Sequence, residues 1–149
     1  MWEMILQFVR DIFNRQEIQL DHVHSVQRTY PTQADSTILT SGTADWEWGA
    51  LTEVVPAAAI NAPFDIHWMG IGRVSATDAV YEVKIFAGAV GSEVEIGQMR
   101  TYRQATQSGS APSPMTTPIQ LAGTRISARC AVEDGGSKTI GIALFYHTY

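Results

Sequence analysis

The hydrophobic positions of the chain change their period once, near residue 20. Before that point Trp2, Ile5, Leu6, Val9, Ile12 and Phe13 follow an i, i+3, i+4, i+7 pattern, which places them on one stripe of an α-helix spanning 2–18. Glu3, Gln7, Arg10, Asp11, Asn14 and Arg15 fill the opposite side. At 1.5 Å per residue such a helix is roughly 25 Å long. Met4 and Phe8 widen the stripe, so most of the circumference near its start is apolar. That surface can pack on its own domain, bundle with copies of itself or dock on a larger partner. The mixed charge of its polar side does not suit a membrane-surface helix, which favours Lys and Arg there. A terminal helix ahead of a β-rich sequence suits an arm, and the two assembly readings are preferred.

Beyond Leu20 the period becomes two, the signature of strands with one buried face. Strands are predicted at 22–30, 37–40, 45–55, 65–74, 80–87, 93–103, 115–120, 124–132 and 139–149. Tyr81, Val83, Ile85 and Ala87 share one face, and Ile140, Ile142, Leu144 and Tyr146 share another. Turn-forming clusters separate the runs at 40–42, 61–63, 88–91 and 133–137. The expected fold is mainly β, a jelly-roll-like antiparallel β-sandwich over 21–149, preceded by an N-terminal amphipathic helical arm over 1–20. The stretch 104–118, with Ser, Gly and Pro in close succession, reads as a loop within that domain.

Composition narrows the function classes. A chain of 149 residues can bury one sizeable core without metal or disulfide support. Only Lys84 and Lys138 are lysines and the net charge is −5, so nucleic acid is not an expected partner. Arg100 and Arg103 make a small basic spot that solvent or acidic neighbours satisfy. Cys130, the sole cysteine, excludes an intrachain disulfide and falls on the same period-two face as Ile126, Ala128 and Val132. It is expected to be a small core residue. No run of about 20 apolar residues exists, and the start is neither basic nor continuously apolar, so no membrane span or signal peptide is expected.

Candidate chemistry is sparse. His22 and His24 alternate beside Asp21 and could both reach one metal, but they supply two ligands of the three or four a site needs. Asp65 and His67 share a strand face, yet a base alone does not make a catalytic site. Glu93 and Glu95 alternate and read as surface charges. Gly70 and Gly72 lie within one strand run, which points to a bulge or close packing. No nucleophile elbow, phosphate loop or dinucleotide fingerprint is present. The expectation is therefore no enzyme, no cofactor and no resident metal. Trp46 and Trp48 flank Glu47 and form a possible ligand platform, since aromatic rings in β-sandwiches stack on sugars. Large rings more often fill cores and interfaces.

Several segments carry a resemblance. HVHSVQRTYPT at 22–32, PFDIH at 63–67, GSEVEIG at 91–97, TRISA at 124–128 and LFYHTY at 144–149 resemble small virion proteins of tailed bacteriophages, over roughly 22–149. The likeness is to capsid decoration, or cement, proteins. It implies a homotrimer made in a host cytoplasm and seated on the outer surface of the virion, where it bridges major capsid protein subunits. Trp2, Ile5, Leu6, Val9, Ile12 and Phe13 would then serve the capsid or subunit interface. The alternative is a glycan- or receptor-binding phage appendage, such as a lectin-like fibre tip, using Trp46 and Trp48.

Overall fold

The computed structural model describes residues 27–103 and 112–149. Nine strands are described: β1 (Arg28–Tyr30), β2 (Thr37–Thr40), β3 (Thr52–Val55), β4 (Phe64–Val74), β5 (Ala79–Ala87), β6 (Val94–Arg103), β7 (Ser113–Pro114), β8 (Ile126–Val132) and β9 (Thr139–Thr148). A single 3-10 turn, Gln33–Asp35, separates β1 from β2. The predicted helical arm, its six apolar positions and the pair His22 and His24 lie outside the described residues.

The strands form two antiparallel sheets. In the first, the order is β1-β9-β4-β7, and β2 continues the β1 side of β9. In the second, it is β3-β8-β5-β6. Apart from β1 to β2 and the β5–β6 hairpin, every successive strand changes sheet. The inner faces meet in one core. Leu39, Phe64, Ile66, Met69, Ile71, Ile140, Ile142 and Leu144 come from the first sheet; Tyr81, Val83, Ile85, Ile126, Ala128, Cys130 and Val132 come from the second. This is a β-sandwich, and the alternation along β5, β8 and β9 is what builds it. Cys130 is fully buried among these residues, and burial pushes its thiol up to about 12.

Most strand predictions agree with the structure to within one or two residues. Two do not. Only Thr52–Val55 of the expected 45–55 strand is β, because the stretch before it is a folded loop. Glu47 closes that loop by accepting from the backbone N–H groups of Thr43 (2.7 Å) and Ala44 (2.8 Å). The expected 115–120 strand is displaced, with ladder pairing at Ser113–Pro114 instead. Met115, Thr117 and Gln120 do hydrogen-bond along β4, but Pro118 interrupts a continuous ladder.

Local irregularities set which side chains face outward. On β4 the register passes from Ile66 opposite Tyr146 to Trp68 opposite Phe145, which makes His67 an extra, bulged residue. A second irregularity falls between Ile71 and Val74, at the Gly72 position flagged by the sequence. There a Cβ would stand 2.8 Å from the Ser36 hydroxyl, so close packing also explains the glycine.

Candidate functional site

The outer face of the first sheet follows directly from the register. Core residues Ile66, Met69 and Ile71 pair with core residues Tyr146, Leu144 and Ile142, so the intervening pairs point outward. These are Trp68 with Phe145 and Gly70 with Ala143, extended by Thr29 opposite Phe145 and Ile38 opposite Gly141. The middle of the face is small side chains or none; its margins carry Trp68, 40% exposed, and Ile38, 50% exposed. Gln27, Trp68, Pro112 and Phe145 line an open notch there. These seven outward positions carry no charge.

At one end of this face three donor groups converge. Asp65 lies opposite His147 in the β4–β9 ladder, and the bulge turns His67 toward both. Asp65 Oδ2 is 2.8 Å from His67 Nε2, and the His67 and His147 ring centroids are 4.3 Å apart. The Tyr149 hydroxyl donates to Asp65 Oδ2 at 2.8 Å. Burial first, and then that bond to the carboxylate, push the Tyr149 phenol up to about 12. Asp65 itself is buried, and its Oδ1 has no hydrogen-bond partner among the described residues. The sequence pattern paired Asp65 with His67; His147 was missed as their partner because 80 residues separate it from His67. Its alternation with Phe145, Ala143 and Gly141 was the available signal.

The outer face of the second sheet is different in kind. The loop before β3 runs along β8, with the Trp46 N–H donating to the Val132 carbonyl and the Gly49 N–H to the Cys130 carbonyl. It lays two indoles over the sheet. The Arg129 guanidinium sits 5.1 Å from the ring centres of both Trp48 and Phe86, and Lys84 lies 5.1 Å from Trp48. Arg100 lies 4.9 Å from the Trp46 ring and donates to Glu82 at 2.6 Å. Trp46 is 39% exposed, whereas Trp48 is half-buried. Trp46 takes a left-handed backbone conformation (φ 56°), so the two rings do not follow simple strand alternation. Glu93 and Glu95 do not act together: Glu93 accepts from Arg125 at 3.1 Å and Glu95 from Lys84 at 2.9 Å.

The chain matches no protein-family model and shows no significant sequence match to a curated protein.

Proposed function

We propose that this chain is a structural assembly module of a phage virion, a jelly-roll domain that self-associates as a homotrimer and seats on major capsid protein at the capsid surface. The observation that carries the reading is the uncharged outer face of the first sheet, where Ile38, Trp68 and Phe145 surround Gly70 and Ala143. Charged residues are depleted and aromatic residues enriched in the cores of protein interfaces, and Trp68 and Ile38 stand exposed here with no charge beside them on this face. The strand orders support the jelly-roll assignment, since each sheet alternates a strand from β1–β5 with one from β6–β9 along its path. The resemblance of 22–149 to decoration proteins supplies the capsid as partner. The apolar positions Trp2, Ile5, Leu6, Val9, Ile12 and Phe13 supply a second gripping surface in this reading.

The test is the native mass of the full chain by sedimentation velocity. A species three times the 16.4 kDa chain mass is expected, persisting in EDTA. A monomer at every concentration overturns the trimer. Ile5→Asp with Val9→Asp separates the arm from the sheet face, because only one of the two contacts is then removed.

A glycan-binding reading rests on the exposed indole of Trp46. Against it, Arg100 is stacked on Trp46 and Arg129 and Lys84 on Trp48, so a sugar would have to displace a cation from each ring. A glycan array probed with the full chain decides: specific binding lost in Trp46→Ala favours the appendage.

A further inference from the structure

We propose that Asp65, His67 and His147 bind one divalent first-row transition ion, zinc being the ion their donors suit, in a three-ligand site clipping β4 to the end of β9.

Three observations converge on it. First, one carboxylate oxygen and one nitrogen from each imidazole lie within 4.8 Å of one another. Zinc bonds of 2.0–2.2 Å require donors about 3.3 Å apart in a tetrahedron, so closure needs shifts of about an ångström. Side-chain rotation supplies that, because His67 and His147 are only half-buried. Second, the backbone is shaped for the convergence. Asp65 and His147 are direct cross-strand partners, and the bulge at His67 breaks the strand alternation locally to bring a third donor to the same place. Bulges re-aim side chains in this way beside functional sites. Third, Asp65 is 5% exposed, and its Oδ1 has no hydrogen-bond partner among the described residues. A buried carboxylate oxygen without a donor is costly, and a cation is one of the few things that satisfies it.

The rest of the surroundings fit. The Tyr149 hydroxyl donates to Asp65 Oδ2, the oxygen that lies 2.8 Å from His67 Nε2, and fixes the carboxylate plane. Two imidazoles and one carboxylate are an intermediate donor set, suited to zinc, iron, cobalt or nickel and poorly suited to calcium or magnesium, which take oxygen ligands. Three protein ligands leave at least one coordination position for water or for a group from another molecule. The inference does not depend on the assembly reading, and it is tested by a different quantity.

The experiment uses the full-length chain carrying His22→Ala and His24→Ala, which removes the other closely spaced imidazoles. After EDTA treatment and dialysis it is titrated with zinc chloride by calorimetry and with cobalt(II) by visible absorption. One equivalent is expected, with a cobalt d–d band and a thermal midpoint raised by several degrees. His147→Ala and His67→Ala should each weaken zinc binding at least 100-fold, and Asp65→Asn at least 10-fold. If any of these variants fails to fold, the His67 and His147 ring protons of the parent chain decide, because cobalt(II) must shift both. No stoichiometric uptake, uptake unchanged in His147→Ala, or unshifted ring protons each overturn the proposal.

Discussion

The two outer faces of this sandwich rest on the same kind of core and solve opposite problems. On the second sheet, Glu82, Lys84, Arg100 and Arg129 are interleaved with Phe86, Trp46 and Trp48, and each cation has an anion or a ring beside it. The charges of that face meet partners within the chain, while Arg129 Nε has no hydrogen-bond partner among the described residues. On the first sheet, Ile38 and Trp68 stand exposed and Thr29 and Phe145 half-buried around the buried Gly70 and Ala143, with polar chemistry gathered at the Asp65–His67–His147 corner. The exposed side chains of Ile38 and Trp68 gain free energy when another surface covers them. The interior pattern is shared; the difference lies entirely in what alternates with it.

The largest effect should come from breaking the second face at its anchor. Gly49 brings the tryptophan-bearing loop against β2, and a Cβ there would lie 1.7 Å from the Thr40 carbonyl oxygen. Backbone, not a movable side chain, occupies that space. Gly49→Ala is therefore expected to cost about 3 kcal/mol, read as a lowered urea midpoint, with Trp46 and Trp48 fluorescence moving toward that of the solvated indole. A wild-type midpoint would mean that the loop is not anchored by this contact.

The first face is broken differently. Trp68→Asp places a charge on an exposed position, so the monomer fold should survive while self-association weakens by at least about 2 kcal/mol, or roughly 30-fold. Sedimentation equilibrium measures it, with circular dichroism as the check on folding. Unaltered association in Trp68→Asp and also in Phe145→Asp would remove this face from the interface.

The sandwich was legible in the sequence because its signal is local. Period-two runs at Tyr81–Val83–Ile85 and Ile140–Ile142–Leu144 report directly which side meets the core. The 45–55 stretch misled for a physical reason: Trp46 and Trp48 alternate as strand residues do, but Glu47 bonds back to Thr43 and Ala44 and folds the chain into a turn. The corner site was half legible. Asp65 and His67 are neighbours in sequence, whereas His147 reaches them only through the β4–β9 register, which no local pattern encodes. The cations on Trp48 were invisible for the same reason, since Lys84 and Arg129 meet it from β5 and β8.

A smaller effect sharpens the contrast. Arg129 is stacked between Trp48 and Phe86 rather than paired with a carboxylate. Arg129→Ala should cost about 1 kcal/mol of stability through lost stacking and lost cover, and leave the association constant unchanged. A change in association larger than threefold would show that the second face also contacts a partner.

The smallest expected effect distinguishes the faces by pH. Hydrogen bonds from the Ala44 N–H first, and then from the Thr43 hydroxyl and N–H, hold the Glu47 carboxyl below its usual value of 4.5. Glu93 and Asp134, which flank the same sheet, are also lowered. A carboxyl whose pKa is lower in the folded chain binds protons more readily when unfolded. Its contribution is therefore complete above the unfolded value near 4.5 and is lost as pH falls through the folded value. Glu47→Gln keeps the shape but removes this term. The difference in urea midpoint between wild type and Glu47→Gln should be small at pH 7 and should shrink toward zero as pH is lowered below about 4. If the gap instead persists unchanged at pH 3, the loop is held by the shape of the side chain and not by its charge. The tryptophans of the second face would then be positioned independently of pH.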